Sequence, residues 1–159
     1  VTGVQTCALP ISMLVSKTRA SSFTDPNLQP NTNYGYKLTV FQSIVKSTIV
    51  NGEKVSKTIT KRKGTNSITV LTLPEMVIGL TAAKAPGRID LSWQPPQNAA
   101  NSPIVYSVKL NGNLMSVAQP ATTFTLTGIQ DGTSNAIEVI SENAAGQAKV
   151  NAKLSVRMS

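Results

Sequence analysis

Leu28-Gln29-Pro30-Asn31-Thr32-Asn33-Tyr34, with the alternating run Tyr36, Leu38, Val40 behind it, is the stretch that decides how this chain is read. Proline and asparagine mark a corner, and apolar or aromatic residues then recur at every second position, the period of a strand. A weaker copy lies 101 residues on, at Ile129-Gln130-Asp131-Gly132-Thr133-Ser134-Asn135, followed by Ile137 and Val139. The register also holds upstream, where Phe23-Thr24 matches Phe124-Thr125. A repeat of this length corresponds to one β-sandwich module of ~100 residues in tandem.

Composition agrees. The 159 residues have room for one large domain or two small ones, and the abundance of Thr, Ser, Val, Ile and Asn favours strands and turns. No stretch approaches the ~20 apolar residues of a membrane helix. Histidine is absent and Cys7 is the single cysteine, which removes internal disulfides, imidazole bases and Cys/His zinc sites from consideration. The seven acidic residues are scattered, no Gly-x-Gly cradle occurs, and no serine has a histidine to activate it. The expectation is therefore a protein without catalytic residues, metal or cofactor.

Charge is the one uneven feature. The net charge is +8, and six of the fifteen cations fall between residues 46 and 63: Lys46, Lys54, Lys57, Lys61, Arg62 and Lys63, opposed by Glu53 alone. Within that span Asn51-Gly52 predicts a hairpin with a type I′ turn, pairing Val50 with Glu53, Thr48 with Val55, Lys46 with Lys57 and Ile44 with Ile59. Lysines opposed across a rung repel, which points to an exposed arm or a bound anion. Lys61-Arg62-Lys63-Gly64-Thr65-Asn66 reads as a turn leading into a separate strand over 67–73. The ordinary account of such a cluster is a solvated, solubilising loop; the functional one is an electrostatic grip on an anionic polymer. Neither an arginine-rich helix nor an aromatic within the arm supports base recognition, so specific nucleic-acid binding is not expected.

The second half reads as strands throughout. Met76 to Ala82 forms a first strand. Ile89, Leu91 and Trp93 then alternate with Arg88, Asp90 and Ser92 until Gln94-Pro95-Pro96 stops the run. Ile104, Tyr106, Val108 and Leu110 line a third strand, and Asn111-Gly112 turns it into Asn113 to Ala118. Phe124 and Leu126 point inward between outward threonines, and Val150, Ala152, Leu154 and Val156 close the sheet. Sharing a face with Leu91 and Ile89, Trp93 is expected in a core rather than on a sugar-binding surface.

Leu28-x-Pro30-x-Thr32-x-Tyr34 followed by an alternating strand resembles the E–F corner of a fibronectin type III domain, and Leu91-x-Trp93-x-Pro95-Pro96 resembles strand B of that family. Ile137, Val139 and Asn143-Ala144-Ala145-Gly146 match its F strand and Asn-x-x-Gly turn. The long hairpin with Asn51-Gly52-x-x-Val55 is similar to those of type III modules in surface proteins of Gram-positive bacteria, departing from them at Lys61-Arg62-Lys63. The resemblance implies an all-β, immunoglobulin-like β-sandwich, one partial plus one complete module. It makes Tyr34 a structural pin through its hydroxyl, with Leu28 beside it, and puts Leu91, Trp93, Tyr106 and Phe124 in structural positions. The second corner carries Asp131 for proline and Asn135 for tyrosine, so it lacks that hydroxyl.

Val1-Thr2-Gly3-Val4-Gln5-Thr6-Cys7-Ala8-Leu9-Pro10-Ile11 is similar to the conceptual translation of a short-read sequencing adapter, which implies a metagenomic fragment whose residues 1–12 are not native; the alternative is a short apolar N-terminal strand or the tail of a signal peptide. The expected organisation is then 13–75 as the C-terminal part of one type III module, short of the strands that would cover it, and 76–159 as a complete module. The expected role is a non-catalytic spacer or interaction segment of a bacterial extracellular or cell-surface multidomain protein, such as the accessory region of a secreted polysaccharide-degrading enzyme. Its partners would be neighbouring domains of the parent chain. The alternatives are an adhesin segment gripping an anionic wall polymer or glycan through 46–63, and a phage structural protein.

Overall fold

The computed structural model describes the backbone of residues 2–8, 11–18 and 20–159, and side chains from residue 20 onward. The chain divides into two compact units, Val1–Asn27 with Asn33–Val70, and Leu28–Thr32 with Leu71–Ser159.

The first unit is a single sheet of β1 (Thr2–Ala8), β2 (Ile11–Thr18), β3 (Asn33–Val50) and β4 (Glu53–Leu71), in the order β2-β1-β3-β4. Strand β1 lies within the stretch similar to adapter, and it pairs antiparallel with β3 from Thr2 opposite Val40 to Cys7 opposite Gly35. Beyond Val40, β3 and β4 continue as a two-stranded ribbon. Asn51 and Gly52 both have positive φ, 51° and 83°, as the expected I′ turn requires. Hydrogen bonds between Ser43 Oγ and Thr60 Oγ1 (3.1 Å) and between Ser47 Oγ and Ser56 Oγ (2.9 Å) fix the ribbon's register. Those two rungs bracket Lys46 opposite Lys57 and Ile44 opposite Ile59, the pairing that the turn demands.

One expectation fails here. Lys61–Asn66 is not a turn, because β4 runs unbroken from Glu53 to Leu71. The segment holds no proline, and a lone glycine weakens a strand without ending it. Several apolar residues of the first unit lie open to solvent: Leu38, Val40, Ile68 and Val70 are all exposed, Ile68 at 61%. A half module short of covering strands is expected to lose part of its cover; these four residues do, while Tyr34 and Tyr36 on the face of Leu38 and Val40 stay half-buried.

In the second unit the chain runs through β5 (Ile78–Ala85), β6 (Arg88–Gln94), a 3-10 turn at Ala99–Asn101, β7 (Val105–Leu110), β8 (Asn113–Gln119), β9 (Thr123–Thr127), β10 (Ser134–Asn143), β11 (Gly146–Gln147) and β12 (Ala152–Arg157). Strands β5-β6-β9 make one sheet; β8-β7-β10 make the other, with β11 and β12 both paired to β10. Two antiparallel sheets in this order form an immunoglobulin-like β-sandwich.

Its core follows the alternation of the sequence. Ile89, Leu91 and Trp93 are buried along β6, and the ladder sets Leu91 opposite Phe124 and Ile89 opposite Leu126. The other sheet contributes Tyr106, Val108, Ile137, Val139 and Val156. Burying each such side chain favours folding by roughly 1.5–3 kcal/mol, so this dozen-residue cluster dominates the unit's stability. Trp93 meets Tyr106 edge-to-face, with ring centroids 5.6 Å apart at 71°. The polar members of β6 face water, where Arg88 Nε sits 3.0 Å from Asp90 and Thr125 Oγ1 donates to Asp90 at 2.8 Å.

Candidate functional site

Two features stand out: the basic ribbon of the first unit and a buried asparagine hub in the second. All six cations of the ribbon are exposed. Alternation puts Lys46 and Lys57 on one face and Lys54 on the other, with Ser47 and Ser56, while Lys61, Arg62 and Lys63 point to successive faces. The six are therefore spread over both faces and do not converge on a pocket. The ion pairs among the described residues, Arg88–Asp90 and Lys153–Glu138, both lie in the sandwich, so the ribbon's positive charge is not neutralised there. Its ~10 rungs beyond Val40 extend ~33 Å at ~3.3 Å per residue, a long cationic surface rather than a cavity.

Near the base of β3, the Tyr36 hydroxyl donates to Asp25 Oδ2 at 3.1 Å. Burial, the hydrogen bond and charge of Asp25, and neighbouring Tyr34 push the Tyr36 phenol up to about 12. Tyr34, the expected pin, is half-buried. The hydroxyl of Tyr36, two residues on along the same face, was not singled out by the motif.

The hub is built on the corner. Asn31 is fully buried and its backbone is left-handed, with φ 48°. Its Nδ2 donates to Asn98 O (2.8 Å) and Ser102 O (2.9 Å), and its Oδ1 accepts from Asn143 Nδ2 at 2.8 Å. Asn143 Nδ2 also reaches Thr72 O at 2.8 Å, and its Oδ1 accepts from Ala145 N. Backbone bonds Asn31 N to Leu73 O and Thr72 N to Thr32 O complete the seat, both at 3.0 Å. Every polar atom of the Asn31 side chain is thus satisfied, which is what makes its burial tolerable.

The two corners share their left-handed positions. Left-handed residues occur at Asn27 and Asn31 in the first and at Gly128 and Gly132 in the second, each pair separated by the 101-residue repeat. Thr32 Oγ1 donates to Pro30 O at 2.8 Å, and Thr133 Oγ1 donates to Gln130 O at 2.6 Å. Where the second corner has glycine, the first has an asparagine whose side chain builds the hub. Sequence reading passed over Asn31; its alignment with Gly132 was the signal that could have found it.

The remaining residues named from sequence have plain positions. Trp93, Leu91 and Tyr106 are buried and Phe124 packs partly buried on the same cluster, while burial raises the Tyr106 phenol above its ordinary value. Leu28 lines an open, mainly apolar groove of about 810 Å³ with Pro30, Leu71, Leu73, Met76 and Val150. Among the described residues no cluster of three or more metal-ligating side chains occurs, and no helix is long and apolar enough to cross a membrane.

No protein-family model and no curated protein matches the sequence. Among solved structures, the spore cortex lytic enzyme SleM of Clostridium perfringens aligns at 19% identity and TM-score 0.46 over 55% of this chain, which spans 29% of the enzyme. The extracellular domains d3–d4 of rat CD45 align at 17% identity and TM-score 0.45, covering 94% of this chain and 79% of theirs. A fibronectin type III protein, FN3tt mut, aligns at 17% identity and TM-score 0.43 over 53% of this chain and 94% of its own. The strand order given above, rather than these likenesses, establishes the immunoglobulin-like sandwich of the second unit.

Proposed function

We propose that this chain is a non-catalytic tandem segment of fibronectin type III character, 13–75 a partial module and 76–159 a complete one, serving as a spacer and interaction region of a bacterial extracellular or cell-surface protein. The repeated corner carries this reading: two copies with the same left-handed positions, 101 residues apart, each with its threonine hydroxyl bonded back into the corner, are what two modules of one kind would leave. A spacer transmits position through a rigid body, and the sandwich of Leu71–Ser159 with Leu28–Thr32 is such a body, its core continuous and its corner segment hydrogen-bonded in place. An accessory place beside a polysaccharide-degrading domain is the specific form we favour.

A second reading, the adhesin segment, rests on the exposed and unneutralised cations Lys46, Lys54, Lys57, Lys61, Arg62 and Lys63. Retention on an immobilised anionic polymer across a salt gradient separates the two. The spacer reading expects elution at low salt and no change when Lys46, Lys57, Lys61 and Lys63 become glutamate. Strong, salt-sensitive retention that this reversal abolishes would replace it with the adhesin reading.

A further inference from the structure

We propose that the free edge of β4 accepts an acidic, extended peptide segment as an added strand. This goes beyond attraction by charge, because it enlists the strand's backbone as well. Strand β4 is the terminal strand of its sheet and is 19 residues long. A two-residue I′ loop makes Val50 and Glu53 the closing pair that exchanges both backbone hydrogen bonds. Counting outward by twos, Glu53, Val55, Lys57 and Ile59 direct their N–H and C=O groups to β3. Lys54, Ser56, Thr58 and Thr60 turn theirs to the open edge. The side-chain contacts agree: Ser47–Ser56 and Ser43–Thr60 touch across rungs of the non-hydrogen-bonded kind, where side chains approach most closely.

The charge of the edge selects the guest. Strand β4 carries Lys54, Lys57, Lys61, Arg62 and Lys63 against Glu53 alone. A second copy of this chain would set these cations against themselves, and like charges on facing positions repel. Lysines along an edge ordinarily turn strands away. Here they turn away neutral and basic strands and admit one whose carboxylates fall beside them, so that main-chain bonds give affinity and charge gives choice.

The test uses the whole chain and a twelve-residue peptide of alternating glutamate and threonine, followed by amide hydrogen exchange. Binding should slow exchange at Lys54, Ser56, Thr58 and Thr60 and leave the already bonded Val55, Lys57 and Ile59 unchanged. Thr58→Pro keeps every charge and removes an outward N–H that β3 does not use, and should weaken binding by about tenfold or more. The same peptide with alternate backbone nitrogens methylated should also fail. Absence of binding, binding without protection of those four amides, or equal binding by Thr58→Pro, by the methylated peptide or by inorganic polyphosphate would overturn the proposal. Polyphosphate binding without amide protection would leave charge alone as the arm's property, which is the adhesin reading and not this one.

Discussion

Asn31 Oδ1 accepts a hydrogen bond from Asn143 Nδ2 at 2.8 Å inside the second unit, joining residues 112 positions apart in the chain. The same Asn31 side chain satisfies the carbonyls of Asn98 and Ser102, so three loops of the sandwich meet on one amide. Asn31→Ala strands those groups and forces a left-handed alanine, and should lower stability by about 2–4 kcal/mol. Asn31→Gly retains the backbone and isolates the side-chain share, and a cycle with Asn143→Ala should show about 1–2 kcal/mol of coupling. Urea unfolding followed by the single tryptophan measures each. A loss below ~0.5 kcal/mol in Asn31→Ala would mark the hub as idle.

Trp93 packs its ring in the core, but its Nε1 is buried without a hydrogen-bond partner among the described residues. The indole N–H therefore contributes nothing and costs its desolvation. Trp93→Phe, which removes that N–H and keeps an aromatic edge towards Tyr106, should cost less than about 2 kcal/mol. Trp93→Ala should cost about 3–5 kcal/mol. Calorimetry of both variants decides; equal losses would show that the N–H is satisfied after all.

Tyr36 supplies a pH dependence at the alkaline end. Its phenol lies above the ordinary 10.0, at about 12, because burial and then Asp25 favour the neutral form. A phenol raised on folding stabilises the folded state below pH ~10 and loses that contribution as pH climbs from there through 12. Ultraviolet titration of tyrosinate, with Tyr36→Phe to assign the signal, should place this group last. Asp25→Asn should draw it back towards the ordinary value, and no movement in that variant would sever the link.

A chain beginning at Met13 tests the reading of the first twelve residues. The described ladders of β1 run to β2 and β3. Without β1, amides of β3 over 35–40 should exchange faster, while unfolding of the sandwich, reported by Trp93, should hold within about 0.5 kcal/mol. A larger fall in sandwich stability would make those residues part of the fold's support.

The central sandwich strands were legible because one face of each is buried: Ile89, Leu91 and Trp93 alternate with Arg88, Asp90 and Ser92, and that alternation survives in the structure as core and water face. The hairpin turn was equally legible, since Asn51-Gly52 is one of few pairs at ease with positive φ at both positions. The basic cluster could be located but not arranged. Whether Lys61-Arg62-Lys63 turns or extends depends on the partner strand beside it, and no local preference of those residues decides that.

Sequence by itself determined the period, the Asn-Gly turns, the repeated corner and the excess of positive charge, because these depend on neighbours within a few residues. Tertiary structure decided how far each residue lies open, leaving Leu38, Val40, Ile68 and Val70 exposed while Tyr34 and Tyr36 stay half-buried, since alternation describes a face and only packing fixes each residue's cover. It also decided that Asn31 joins the loops at Asn98, Ser102 and Asn143, because a buried amide is satisfied by carbonyls that arrive from distant parts of the chain.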